Sequence, residues 1–206
     1  MGGTVYPGLM MTSSMIYWFL EFIAFPVNIR NVCVFIAPAF SAFTAWTTYL
    51  LTKEATGKSG PSLFSALFIS IVPSYISRSV AGAYDNEAVA IFALVFSFYT
   101  YIKATNSGSM LWSCASAFAF LYMVACWGGY AFIINIIPIF VLSMMFIGRA
   151  DRKIYVSYSI FYILGTLLAL QIPFVGFQAI SSSEHMLSHG TFIFLQVRTL
   201  LAWLKG

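Results

Sequence analysis

Charged residues are scarce in this 206-residue chain, of which 8% is Asp, Glu, Lys or Arg and 61% is hydrophobic. Soluble domains carry about 25% charged residues. A chain with so few charges and a mean hydropathy of +0.89 has too little polar surface for water. The composition therefore excludes an ordinary soluble domain and indicates a protein that is embedded in a lipid bilayer and in contact with membrane lipids.

Cysteine is also scarce, and this excludes two further classes of protein. Cys33, Cys114 and Cys126 are too few and too scattered for a disulfide framework or a zinc site. Each lies in an apolar run, so we expect small buried hydrophobic side chains. The start of the chain lacks the basic residues and compact apolar run of a cleavable signal peptide. No glycine-rich phosphate loop occurs, and no nucleic-acid partner is expected.

Long apolar segments dominate what remains. A spanning helix needs about 20 mainly apolar residues. This length predicts seven spans, at about 31–52, 61–80, 87–103, 110–128, 130–148, 154–175 and 190–204. Ser, Thr and Glu interrupt residues 9–25, which also contain Tyr17 and Trp18, so that segment is predicted to lie along the membrane surface. The fold class is therefore all-α, a polytopic transmembrane helix bundle of one domain over 1–206.

The few charges are distributed unevenly between the two sets of joints. One side carries eight cations: Lys53, Lys58, Lys103, Arg149, Arg152, Lys153, Arg198 and Lys205. The other side carries only Arg30 and Arg78, together with four of the six acids. Cytoplasmic loops of membrane proteins are enriched in Lys and Arg. The eight-cation side is therefore predicted to be cytosolic, and the acids collect on the far side.

The joint SRSVAGAYDNEAVAIF, residues 77–92, places Arg78, Asp85 and Glu87 between two apolar segments. One interpretation is structural: Asp85 caps the following helix, and Glu87 interacts with the positive end of its dipole. The other is functional. Carboxylates at i and i+2 of an extended joint point to the same side. Such a pair suits Mg²⁺ or Mn²⁺, although further ligands have to come from elsewhere.

Five blocks of this chain resemble the catalytic subunit of the eukaryotic oligosaccharyltransferase, in the same order. They are GGTVYPGLM, IRNVCVFIAPAFSAFTAW, ISRSVAGAYDNEAVAIF, CWGGYAFIINIIPIFVL and QIPFVGFQAISSSEHM. The resemblance implies a membrane bundle of the GT-C type. It also implies transfer of an oligosaccharide from dolichyl diphosphate to the Asn of an Asn-x-Ser/Thr sequon in the acceptor polypeptide. The implied location is the endoplasmic reticulum membrane, with a luminal active site and possible partner subunits of the same enzyme.

The same resemblance implies roles for individual residues. It assigns Asp85 as a ligand of a catalytic Mn²⁺ or Mg²⁺, Glu87 as a supporting acid of the metal site, and Arg78 as the residue that orients both acids. It places Trp127, in a W-G-G-Y turn, near the diphosphate of the lipid-linked donor. The family's first acidic motif, a later luminal loop and a C-terminal luminal domain are missing from this sequence, so the 206 residues alone are expected to be inactive.

Several other residues are expected to have structural roles. Glu184, in SSSEHM, matches an earlier luminal loop of the family rather than its catalytic glutamate. His185 and His189 have no convergent third metal ligand and are predicted to be solvated at the membrane interface. Arg30 is predicted to anchor a headgroup. Belt or packing positions are expected for the remaining tryptophans, which are Trp18, Trp46, Trp112 and Trp203.

Two other functions remain open at this point. A different GT-C enzyme that uses a dolichyl phosphate sugar also has an acidic loop, but normally after its first span. A cation channel or transporter would use Asp85 and Glu87 as a binding ring. That function predicts acids at mid-membrane depth, and none of the predicted spans contains one there.

Overall fold

The structure, a computed structural model, describes residues 5–205, so Gly2 to Thr4 of the GGTVYPGLM block lie outside the described residues. Residues 5–205 contain helices and turns but no strand, which confirms the all-α fold class. The first five helices are α1 Gly8–Phe22, α2 Ile29–Thr56, α3 Ser59–Ile71, α4 Pro73–Ile76 and α5 Asn86–Ser107. The others are α6 Met110–Cys126, α7 Tyr130–Phe146, α8 Arg152–Ala169, α9 Gln178–Ser181 and α10 Met186–Lys205.

Most predicted helical segments occur within a few residues of their expected bounds, but the segment at 61–80 is not one helix. It divides at Val72, whose φ and ψ of −64° and 121° are extended, and Pro73 then opens the short α4. Proline lacks an N–H group, and its ring disfavours helical geometry in the preceding residue. The prediction of a single helix over 61–80 was therefore wrong.

Two helices of the described part, α2 and α5, are long and apolar enough to cross a membrane by length and composition. The helices α3, α6 and α7 are apolar but shorter. The predicted count of seven spans remains a prediction. Large apolar side chains, including Trp18, Trp46 and Trp203, are exposed over much of the surface. Such a surface fits contact with lipid or with further protein.

Helix α5 lies at the centre of the bundle, because it packs against both α2 and α6, and α6 packs in turn against α8. At 1.5 Å per residue its 22 residues extend for about 33 Å. This length is close to the hydrocarbon thickness of a bilayer, about 30 Å. The core between these helices contains Phe120 and Met123 of α6, Ile133 of α7, and Tyr158 and Phe161 of α8.

Side-chain contacts identify the two ends of the bundle. At the C-terminal end of α5, Asn106 donates a hydrogen bond to the Glu54 carboxylate at 3.1 Å, and Lys153 donates to the Asn106 carbonyl at 3.1 Å. These contacts bring the ends of α2, α5 and α8 together. The N-terminal end of α5 carries Asp85 and Glu87. The acidic joint therefore lies at the N-terminal end of α5, and Lys153 lies at its C-terminal end.

Candidate functional site

The joint between α4 and α5 is held by backbone turns and by one contact with α2. After α4 ends at Ile76, the amide of Gly82 donates a hydrogen bond to the Val34 carbonyl at 2.9 Å. Gly82 has a φ of +91°, in the region that disfavours residues with a Cβ atom. The glycine therefore lets the chain turn sharply against α2 and continue into Asp85.

A second contact fixes the joint to α1. The hydroxyl of Tyr84 and the hydroxyl of Ser13 form a hydrogen bond of 2.9 Å. Ser13 is 3% exposed, so this contact lies where α1 covers the bundle. Two separate helices thus position the residues before Asp85, with α2 holding Gly82 and α1 holding Tyr84.

One guanidinium nitrogen connects both acids of the joint. Arg78 Nη1 lies 3.0 Å from Asp85 Oδ2 and 3.0 Å from Glu87 Oε2. The side chains of Arg78 and Asp85 are about half exposed, and that of Glu87 is one quarter exposed. We call these three residues the Arg78 cluster. The structure therefore brings together the three residues that the sequence singled out.

The capping interpretation of Asp85 is wrong in one specific respect. Asp85 does occupy the N-cap position of α5, with an extended φ and ψ of −122° and 148°. However, its side chain makes no capping hydrogen bond, and Oδ2 accepts a bond from Arg78 instead. Glu87 does lie in the first turn of α5, as that interpretation predicted. The Asp85 carboxylate is thus directed toward a cation and solvent rather than toward the helix backbone.

Small side chains hold the first turns of α5 in the bundle. Ala88, Ala90 and Ala93 are at most 1% exposed, and α5 packs against α2 and α6. Small residues let the backbones of membrane helices approach closely. The backbone that carries Glu87 is therefore fixed by packing, while its carboxylate remains near the surface.

The two carboxylates of the Arg78 cluster are donors of the kind that a hard divalent cation prefers. Both present oxygen atoms to one positively charged nitrogen, and carboxylate oxygens are the ligands that Mg²⁺ and Mn²⁺ prefer. Within residues 5–205 no group of three or more metal-ligating side chains occurs. The donors fit a divalent cation in kind but not in number, so a complete site needs oxygens from outside the described residues.

Trp127 lies at the C-terminal end of α6, in the turn that leads to α7. It is half-buried against the core, and its amide donates to the Met123 carbonyl at 3.0 Å. A Cβ atom on Gly129 would clash with the Trp127 ring. Glycine at this position therefore permits the indole to fold back onto its own turn.

One aromatic residue near the turn of Trp127, Tyr6, was not singled out from the sequence. A Cβ atom on Gly128 would lie 2.9 Å from the Tyr6 hydroxyl, and the Tyr6 ring packs on Phe174 at 4.4 Å. Burial raises the pKa of Tyr6, and the negative charge of Glu184 raises it further. Tyr6, Glu184 and the turn of Trp127 thus share one region. No hydrogen bond or ion pair between described residues connects Glu184 to the Arg78 cluster.

His185 is not solvated as predicted. His185 is 1% exposed, bonds to the Ser182 hydroxyl at 2.8 Å and packs against the Tyr130 ring at 5.8 Å. Burial lowers the pKa of His185, His189 lowers it further, and Glu184 opposes both effects. The prediction was wrong for His185, because the loop before α10 folds back against the start of α7.

His189 is half-buried and joins two elements. Its Nδ1 bonds to the Tyr162 hydroxyl at 2.8 Å, and its Nε2 lies 3.1 Å from the Ile180 carbonyl oxygen. A carbonyl only accepts, so Nε2 carries the proton that is donated to Ile180. The imidazole of His189, on α10, therefore links α8 to α9. The side chain is partly solvated, and the interfacial position predicted for it stays a prediction.

The remaining sequence predictions have mixed outcomes. Cys126 is buried as expected, whereas Cys33 and Cys114 are half-buried. Arg30 is exposed near the start of α2. Trp112 packs against Tyr99 at 6.2 Å, which confirms a packing position.

Comparison with known proteins shows the family. The family described as "Oligosaccharyl transferase STT3, N-terminal" matches residues 1–206. The chain belongs to the STT3 family. It is 52% identical over 205 residues to the dolichyl-diphosphooligosaccharide–protein glycosyltransferase subunit stt-3 of Caenorhabditis elegans, with 100% of this chain and 27% of the relative covered. It is 53% identical over 204 residues to subunit STT3B of Arabidopsis thaliana, with 99% of this chain and 28% of the relative covered. These names designate a family of glycosyltransferases.

Solved structures support the fold of this STT3 chain. The oligosaccharyltransferase AglB of Archaeoglobus fulgidus, in complex with an inhibitory peptide and a dolichol-phosphate, matches with a TM-score of 0.73 and 22% identity. The match covers 93% of this chain and 24% of AglB. The apo form of the Archaeoglobus oligosaccharyltransferase matches with a TM-score of 0.75 and 21% identity. The chain thus has the GT-C membrane fold, and it spans about a quarter of the length of its relatives.

Proposed function

We propose that this STT3 chain forms part of an enzyme that transfers an oligosaccharide from dolichyl diphosphate to the Asn of Asn-x-Ser/Thr sequons. The observation that carries the proposal is the convergence of Asp85 and Glu87 on Arg78 at one end of the bundle. The 52–53% identity to dolichyl-diphosphooligosaccharide–protein glycosyltransferase subunits supports the same assignment. The residues outside this segment in those relatives would supply the rest of the site.

The proposed membrane is that of the endoplasmic reticulum, with the Arg78 cluster in the lumen. The charge asymmetry of the sequence supports this orientation, because the eight-cation side is expected to face the cytosol. The Glu54, Asn106 and Lys153 contacts gather the joints of that side at the other end of α5. A lipid-linked donor and a soluble peptide would then meet at the luminal boundary.

In this proposal Asp85 would hold a Mn²⁺ or Mg²⁺ ion, and Glu87 would support the site from the first turn of α5. When bound, such an ion would stabilise negative charge on a diphosphate leaving group. Arg78 keeps both carboxylates on one side of the joint, because a single nitrogen contacts the two. The half-exposure of Asp85 leaves its carboxylate accessible to other groups.

We place Trp127 near the donor's diphosphate. Its indole is fixed in position because Gly129 lets the ring lie over the α6–α7 turn. Tyr6 and Glu184 lie in the same region, so their polar groups would face the same donor.

The test uses a chimera in which these 206 residues replace the matching segment of the C. elegans relative. The purified chimera is given a dolichyl diphosphate oligosaccharide and a peptide with an Asn-x-Thr sequon, and the glycopeptide is measured by mass spectrometry. A peptide with Gln in place of the acceptor Asn is the control. We expect product only with the Asn peptide. Product formed from a dolichyl phosphate monosaccharide, but not from the diphosphate donor, would overturn the proposal.

A further inference from the structure

A cavity of about 500 Å³ opens at the end of the bundle opposite the Arg78 cluster. Its walls come from the end of α5, the second half of α7, the loop at 147–151 and the start of α8. One part of the wall is apolar and the other is charged. The apolar part contains Phe140, Met144 and Ile154, and the charged part contains Arg149, Asp151 and Lys153.

Lys153 is held at the rim of this cavity. Its Nζ donates a hydrogen bond to the Asn106 carbonyl at 3.1 Å. Its aliphatic stem covers Gly108, where a Cβ atom would lie 2.9 Å from Lys153 Cγ. The ammonium group is therefore positioned before any ligand arrives, which lowers the entropy lost on binding.

Arg149 supplies a second cation to the same rim. It is exposed, and the ion pairs within the described residues all involve Arg78, so its guanidinium makes no ion pair with an acid of this part of the chain. Asp151 is the acid that shares the cavity. The rim thus has two cations against one carboxylate, beside a floor of apolar side chains.

We infer that this cavity binds an anionic phospholipid of the cytosolic leaflet, with the phosphate headgroup at Arg149 and Lys153. Basic pockets between membrane helices on the cytoplasmic side accept anionic head groups, and that leaflet carries negative surface charge. The apolar floor suits the acyl chains of the same molecule. The position of the cavity agrees with a headgroup site, because the cavity lies at one end of α5, whose length of roughly 33 Å is close to the hydrocarbon thickness of a bilayer.

A neighbouring cavity provides an internal comparison. It has a volume of about 230 Å³, lies between α8 and α10, and is lined by Arg152 and Arg198. Its Tyr155 hydroxyl already donates to Gln196 at 2.8 Å. The first cavity is about twice as large and contains a lysine that is already fixed in position, so we assign the headgroup to Arg149 and Lys153.

The test measures lipid binding to the full-length chimera in detergent by native mass spectrometry, with phosphatidylserine, phosphatidylcholine or inorganic phosphate as the probe. We expect one phosphatidylserine to bind in preference to phosphatidylcholine. Neutralising both rim cations, in Arg149→Gln/Lys153→Gln, should weaken phosphatidylserine binding about 30-fold. Asp151→Asn should strengthen it about fivefold, because the competing carboxylate loses its charge.

Matched variants separate this site from general electrostatic attraction. Lys53→Gln/Lys58→Gln removes the same charge from the α2–α3 joint and should leave binding unchanged. Equal losses in Arg149→Gln/Lys153→Gln and Lys53→Gln/Lys58→Gln would overturn the assignment. A loss seen only in Arg152→Gln/Arg198→Gln would overturn it as well. Equal binding of the two lipids, or displacement of phosphatidylserine by inorganic phosphate, would also overturn it. Circular dichroism of each variant confirms that the helices remain folded.

Discussion

Removal of the Arg78 guanidinium should loosen the joint that carries the two acids. Arg78 Nη1 contacts one oxygen of each acid at 3.0 Å, so Arg78→Ala breaks two ion pairs at once. It also leaves two negative charges close together without a cation between them. The substitution therefore affects the first turn of α5 more than any other part of the bundle.

The size of the effect follows from exposure. Two unit charges 4 Å apart interact by about 1 kcal/mol in water and by about 4 kcal/mol at an effective dielectric constant of 20. Arg78 and Asp85 are about half exposed, so their ion pair should contribute about 0.5 kcal/mol to stability, as exposed pairs do. Glu87 is one quarter exposed, and its pair should contribute about 1 kcal/mol. The local opening free energy should therefore fall by about 1–2 kcal/mol.

Hydrogen exchange on the chimera measures this local opening directly. Amides of residues 82–90 should exchange about tenfold faster in Arg78→Ala, since about 1.4 kcal/mol is a factor of ten, while those of α6 keep their rates. Glycan transfer should also fall about tenfold in Arg78→Ala. The transfer rate of Arg78→Lys should lie between those of Arg78→Ala and the unsubstituted chimera, because one ammonium keeps part of the attraction. Arg30→Ala is the matched control, an exposed arginine in the first turn of α2 that makes no ion pair with described residues. Unchanged exchange and transfer in Arg78→Ala would refute the role of Arg78.

Three further predictions test other parts of the structure. Gly82→Ala should destabilise the joint by about 1 kcal/mol, because φ of +91° is unfavourable for alanine, and faster exchange at residues 82–90 would reveal it. Burial and His189 lower the pKa of His185, so the folded state loses stability as the pH falls from about 6.5 through the folded pKa. Thermal unfolding of the chimera should therefore show a smaller loss of stability over this pH range in His185→Gln. A loss identical to that of the unsubstituted chimera would contradict the buried neutral histidine. Cysteines introduced at Asn86 and Asp151 should react with an impermeant reagent from opposite sides of sealed microsomes, and same-side labelling would exclude the proposed topology.

The sequence was most informative where the signal was local. Apolar runs of about 20 residues indicated most of the long helices. The spacing of Asp85 and Glu87 predicted carboxylates on one side of an extended joint, but Glu87 lies in the first turn of α5, and it is Arg78 that brings the two acids together. The same kind of signal failed at Pro73. There the apolar run continued through a residue that ends α3, so hydropathy alone joined two helices that backbone geometry separates.

The contacts that could not be predicted connect residues far apart in the chain. Tyr84 bonds to Ser13 across 71 positions, and Gly82 bonds to Val34 of α2. His185 carried no sign of burial, since its environment depends on how the 170–185 loop folds back onto Tyr130. Such contacts depend on the packing of whole helices, and the periodicity of one segment does not contain that information.

The Asp85→Asn variant of the chimera tests the central claim most directly. Asn matches Asp in size and caps a helix about as well, but it lacks the charge that a divalent cation requires. Asp151→Asn is the matched control, since Asp151 is the N-cap residue of α8 and likewise makes no side-chain capping bond. At equal expression, we predict that Asp85→Asn nearly abolishes glycosylation of a sequon-bearing reporter while Asp151→Asn preserves it. Normal glycosylation by Asp85→Asn would contradict a catalytic role for Asp85 and leave it as the N-cap residue of α5.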